Sequence, residues 1–173
     1  MFTRLRLLFG LLFLCALFSP TYAQPPAPCR DAEYRQFDFW VGKWEVFRPD
    51  GKLAGTNSIT KEYGGCVVHE RYVTPGRYTG ESLNSYDPAR KVWHQTWVDN
   101  SGTLLLLEGQ FNGKSMVLEG KTLGTAGTET KHRITWTPNA DGTLRQLWES
   151  TDAKGAWTVA FDGLYKPATT PRQ

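Results

Sequence analysis

Phe37-Asp38-Phe39-Trp40-Val41-Gly42-Lys43-Trp44-Glu45-Val46 is the stretch on which the fold turns. It carries five large apolar side chains (Phe37, Phe39, Trp40, Trp44 and Val46) and one glycine, Gly42. Such a run suits the closing layer of a β-barrel. Trp40 and Trp44 would plug one end, and Gly42 would let the chain turn sharply into a first strand. Just upstream, Asp31 is placed to cap one or two helical turns, with Tyr34 and Phe37 at helical spacing.

Downstream of Gly42 the pattern is β throughout. Strands are expected at 43–48, 53–63, 66–74, 79–87, 91–99, 103–111, 114–121, 128–138, 143–151 and 156–165. Turn chemistry punctuates them: Pro49-Asp50-Gly51, Gly64-Gly65, Pro75-Gly76, Asp87-Pro88, Asn100-Ser101-Gly102, Asn112-Gly113, Asn139 to Gly142 and Asp152 to Gly155. Asn112-Gly113 reads as a two-residue hairpin with positive φ at both positions. About ten short strands with tight turns predict an all-β fold, an antiparallel up-and-down β-barrel in which closure removes exposed edges. A β-sandwich is the alternative.

Upstream of the barrel the chain reads as address and tether. Arg4 and Arg6, the apolar run Leu7 to Phe18 and Thr21-Tyr22-Ala23 form a signal peptide over residues 1–23. The run, about twelve residues, is short of the roughly twenty that span a bilayer, so no stable membrane anchor is expected after cleavage. Residues 24–36 form a proline-led tether, 37–166 the barrel domain and 167–173 a tail. The whole chain has 20 Lys and Arg; without Arg4 and Arg6, 18 stand against 17 acidic residues, a formal charge of +1. Without clustered basic charge, no nucleic-acid partner is expected. The exported portion would be periplasmic or extracellular, and it keeps two cysteines, Cys29 and Cys66. An even number in an oxidising compartment predicts a disulfide, and two separate thiols are the other reading. No C-x-x-C pair is present.

Alternation along the strands sorts the side chains into faces. One face of the fifth strand carries Trp93, Gln95, Trp97 and Asp99. The matching faces of the third and fourth carry Glu70 with Tyr72, and Asn84 with Tyr86. Arg133, Gln146 and Trp148 are placed inward with them. A filled barrel would show one consistently aliphatic face; mixed aromatic and polar faces suit a barrel holding a small hydrophobic or aromatic molecule. These ten residues are therefore the candidate ligand-binding set. Catalysis is the alternative, with Glu70 paired to Asp99 or to a histidine as acid and base. His69, His94 and His132 do not share the inward parity in a way that builds a metal site. No G-x-S-x-G elbow and no phosphate-binding glycine loop is present.

Gly42-Lys43-Trp44, entered from a short helical turn and followed by a β meander, resembles the G-x-W signature of lipocalin-like (calycin) barrels. With Phe37 to Trp40, Gly65-Cys66, Tyr86-Asp87, Trp93 to Asp99, Asp141-Gly142 and Phe161 to Tyr165, the chain is similar to secreted bacterial barrels of unknown function related in shape to nitrobindin. That resemblance implies fold more than activity. It also implies an arginine from a late strand over Trp44, with Arg133 and Arg145 as candidates. Nitrobindin-like barrels hold haem through a late-strand histidine; the last two strands here have none, so no cofactor is expected.

Overall fold

The computed structural model describes residues 28–124 and 127–169. The expected signal peptide, the first residues of the tether and the last residues of the tail lie outside the described residues. Ten strands run in chain order: β1 Gly42–Phe47, β2 Leu53–Glu62, β3 Val67–Val73, β4 Thr79–Asp87, β5 Val92–Asp99, β6 Leu104–Phe111, β7 Met116–Leu123, β8 Glu129–Pro138, β9 Leu144–Thr151 and β10 Trp157–Pro167. Each pairs antiparallel with its neighbours in sequence, and β1 pairs with β10, so the sheet closes into a barrel. Closure leaves no strand edge open, which rules out the two-sheet alternative.

Local chemistry explains the up-and-down order. In six hairpins an Asp or Asn carboxyl or amide oxygen accepts the amide N–H two residues on: Asp50 from Lys52, Asp87 from Ala89, Asp99 from Ser101, Asn112 from Lys114, Asp141 from Thr143 and Asp152 from Lys154. Each side chain thus builds its own turn before any long-range pairing forms. The Asn112 turn differs from expectation. Phe111 pairs with Met116, so four residues connect the strands, and only Gly113 has positive φ (89°). Asn112 Oδ1 takes the amides of both Lys114 and Ser115, and the Asn112 amide donates to the Ser115 carbonyl.

Two short 3₁₀ turns, Ala32–Arg35 and Asp38–Trp40, close one end of the barrel. Asp31 stands at the N-cap position of the first but makes no side-chain capping bond. Phe37 and Trp40 are fully buried and stacked, with centroids 4.8 Å apart. The edge of Phe37 meets Trp93 and Trp136 at 5.6 and 5.2 Å. Trp44 Nε1–H donates to the Trp40 carbonyl at 2.9 Å, fastening plug to barrel. Gly42 has φ 155°, and a Cβ there would sit 3.3 Å from the Trp44 ring, so both conformation and space favour glycine. The Lys61 ammonium grips Asp38 at 2.6 and 2.8 Å. A disulfide joins Cys29 to Cys66, immediately before β3. Arg35 Nη2 donates to the carbonyls of Cys29 and Gly65 and holds the same corner.

The arginine expected over Trp44 is absent from that place. Arg145 pairs with Asp162 on the outside, at 2.8 Å, and Arg133 lies over Trp157, 4.6 Å from its ring centroid. The nearest aromatic partner of Trp44 is Tyr165, edge-on at 6.2 Å. An inward ring and a backbone carbonyl therefore serve Trp44 where an arginine was expected.

Candidate ligand cavity

Strand pairing fixes which side chains meet, because residues directly opposite share a face. Glu70 on β3 pairs with Ser82 on β4, which pairs with Trp97 on β5; Asn84 pairs with Gln95. On the other wall Ile134 of β8 pairs with Trp148 of β9, and Trp148 with Phe161 of β10. A β-bulge between Val159 and Phe161 shifts the register of β10 there. The bulge leaves Ala160 beside Phe161 in the wall.

These rows enclose a cavity of about 180 Å³ at the end opposite the aromatic plug. Tyr72, Tyr78, Trp97, Trp148 and Phe161 supply its rings, and Leu105 and Ile134 its aliphatic surface. Its floor is polar: Glu70, Gln95, Gln146 and Tyr165. A void of about 150 Å³ holds a benzene ring, and drug-sized ligands occupy about 300–1,000 Å³. The space here is that of one ring with a short substituent.

A hydrogen-bond network holds the floor. Glu70, only 4% exposed, accepts from Asn57 Nδ2 at 2.7 Å and from Ser82 Oγ at 2.6 Å. Asn84 donates to Ser82 Oγ and to the Val68 carbonyl, and Gln95 Nε2 donates to Asn84 Oδ1 at 2.8 Å. Across the floor Asn57 also donates to Tyr165 Oη, and Tyr165 in turn donates to Gln146 Oε1. Donors thus converge on one carboxylate. Burial nevertheless prevails: the Glu70 carboxyl is pushed up to about 7, against the pull of Ser82, Asn57 and the nearby His69. Burial, and then the charge of Glu70, likewise raise the Tyr165 hydroxyl well above its usual range.

Of the ten candidate residues, Glu70, Tyr72, Gln95, Trp97, Gln146 and Trp148 line the cavity. Asn84 is fully buried just behind the floor. Tyr86 and Trp93 face inward at the plugged end, where Tyr86 packs on Tyr34 and Trp93 Nε1–H donates to Gln36 Oε1. Arg133 corrects the inward assignment. It points out of the barrel and pairs with Glu149 at 3.0 Å. Ile134 opposite inward Trp148 takes the inside place, and the next residue along must face solvent.

The alternative acid–base pair is not assembled. Asp99 sits at the rim, accepting from Tyr78 Oη, Trp97 Nε1 and Ser101 Oγ. Burial raises its carboxyl, but those donors and the Thr103 amide outweigh this and hold it below the ordinary carboxylate range. His69 bonds Glu62 and Glu81, and His94 bonds Glu108, on the outer surface. His132 is buried: its Nδ1 accepts from Trp148 Nε1, its Nε2 meets Thr122 Oγ1, and burial pushes its pKa down. Among the described residues no group of three His, Cys, Asp or Glu side chains is arranged to hold a metal.

Sequence reasoning missed Asn57, Tyr78, Phe161 and Tyr165. Asn57 had a usable signal, a lone amide between Gly55 and Ile59 on one face of a long strand. Tyr78 lies beside a loop and had none. Comparison with models of known protein families gave no match, and neither did comparison with curated protein sequences.

Proposed function

We propose that this protein is an exported, lipocalin-like barrel that binds a small hydrophobic or aromatic molecule. The ligand lies against Trp97 and Trp148 and is oriented by Gln95, Gln146 and Glu70. The observation that carries this reading is the combination of ring walls with one buried carboxylate at the floor of a single-ring cavity. Export is supported by the residue 1–23 pattern and by the Cys29–Cys66 bridge, a bond that persists in oxidising compartments. The outer wall carries charged pairs such as Arg71–Glu62, Arg90–Glu108 and Arg145–Asp162. Charged pairs spread over the outer wall are unlike the apolar band of a barrel that sits in lipid.

Titration of the folded protein with benzyl alcohol, followed by tryptophan fluorescence, tests the reading. The expected result is a saturable change that Trp97→Ala largely removes and Trp93→Phe retains. A folded protein whose emission and heat of mixing do not respond overturns it.

A second reading, proton transfer by Glu70, is favoured by one fact: burial brings its carboxyl to about 7, where a general base works well. It lacks a partner, since Asp99 keeps its own donors at the rim. Any turnover found should then vanish in Glu70→Gln.

A further inference from the structure

We propose that the ligand carries a protonated amine, and that its ammonium group docks on Glu70 while its apolar part fills the ring-walled space. This inference rests on the cavity being a ligand site, and it names the ligand's chemical class.

The first ground is charge. Glu70 is buried and its two bonded partners, Asn57 and Ser82, are neutral. No lysine or arginine is among the residues lining the cavity. The cations nearest in sequence face the other way: Arg71 is held by Glu62 and Thr60, and His69 by Glu62 and Glu81. A buried carboxylate without a positive partner is costly, and a ligand that brings the charge converts the cost into a pair.

The second ground is acceptor capacity. A carboxylate accepts about four hydrogen bonds, and two are taken here. Glu70 lines the cavity, so the remaining lone pairs are reachable from it. An ammonium supplies three donors and no acceptor. Asn57 Oδ1, buried beside Glu70, has no donor among the described residues.

The third ground is the wall. Tyr72, Trp97 and Trp148 present rings around the approach to Glu70, and ring faces attract cations. At the rim the Asp99 carboxylate lies beside Tyr78 and Trp97, while Arg48 lines the adjoining groove with Tyr72 and Tyr78. The preference for a cation therefore rests on Glu70 at the floor and not on the mouth. The size of the space admits one ring with a short amine arm, or an aliphatic amine of similar bulk.

Proton linkage follows. An ammonium needs Glu70 ionised, and burial keeps a proton on Glu70 up to about pH 7. Binding below that pH must expel the proton, so affinity falls about tenfold per pH unit. The groups facing Glu70 are Asn57 from β2, Ser82 from β4, Tyr165 from β10 and Tyr72 from its own strand. On the outer face of the sheet stand His69, Glu62 and Glu81. His69→Gln controls for that cluster.

Calorimetric titration of the intact folded protein with benzylamine, benzyl alcohol and benzoate, three probes of one size, provides the test. Benzylamine should bind at least tenfold more tightly than benzyl alcohol at pH 8, and benzoate should give no measurable heat. At pH 6 benzylamine should weaken about tenfold and release a proton to the buffer. That release shows in wild type as a heat that varies with the buffer's ionisation enthalpy, so the test survives a Glu70→Gln variant that does not fold. In a folded Glu70→Gln protein the preference for the amine over the alcohol, and the proton release, should vanish. Equal binding of amine and alcohol, or amine binding at pH 6 without proton release, overturns the amine assignment and leaves the cavity reading standing. If none of the three binds, both fall.

Discussion

Trp93 and Trp97 stand four residues apart on one face of β5, yet they live in different environments. Trp93 is 1% exposed, wedged against Phe37 at the plugged end, with its indole N–H on Gln36. Trp97 forms part of an open wall, with its N–H turned to Asp99 at the rim. The plugged end is close-packed and built of rings; even two indole donors, Trp40 Nε1 and Trp136 Nε1, go unpaired there. The open end leaves space and spends its polar groups on one network around Glu70. Close packing is concentrated at one end and open, polar-floored space at the other.

The comparison breaks if the two ends respond alike to truncation. Trp93→Ala removes a buried ring from a packed layer and should cost about 3–5 kcal/mol. Trp97→Ala enlarges a space that already exists and should cost roughly 1–2 kcal/mol. Urea denaturation of both variants checks this, and equal costs would mean that the cavity wall is as tightly packed as the plug.

Opening the disulfide comes next. Cys29 and Cys66 are 37 residues apart in sequence, and losing a bridge of this kind costs about 2–4 kcal/mol. The corner it holds belongs to the plugged end. A Cys29→Ala/Cys66→Ala protein should therefore melt earlier but bind benzyl alcohol, once folded, as wild type does.

Glu70 sharpens the contrast through pH. Its folded pKa of about 7 lies above the ordinary 4.5, so the native state holds this proton more tightly than the unfolded chain. The resulting stabilisation is complete below pH 4.5 and is lost as pH rises through 7, a span of about 3 kcal/mol. Stability of wild type should fall between pH 5 and 8, and Glu70→Gln should flatten that fall. An unchanged slope in the variant would show that Glu70 is more solvated than its burial implies. The smallest effect belongs to Arg133→Ala, which removes a partly exposed pair with Glu149 and a contact with Trp157. It should cost no more than about 1 kcal/mol and leave binding untouched.

The contrast between Arg133 and the residues around Glu70 shows why sequence reading reached one and not the other. Glu70 and Tyr72, Gln95 and Trp97, and Gln146 and Trp148 are pairs two apart within one strand, so each pair's shared face is readable. Arg133 had to be placed against a different strand. Its side follows from Ile134 opposing Trp148, a pairing between residues 14 apart in sequence that alternation cannot supply. Phe161 reached the wall through a bulge, and Asn57 met Tyr165 across 108 residues of chain. The bulge leaves no local mark, and the inward side of Asn57 was readable from its strand but its partner was not.

By itself the sequence determined the number of strands, their antiparallel order and the aromatic plug. Those depend on short-range chemistry: Asp and Asn side chains closing their own turns, alternation of period two, and rings clustered within ten residues. Only the tertiary structure decided that the barrel closes through β1 and β10 and that Glu70 lies buried beneath a ring-walled space without a cation. The reason is register. One residue of slip in any pairing turns a whole strand inside out, and what selects the register is the packing of all ten strands together.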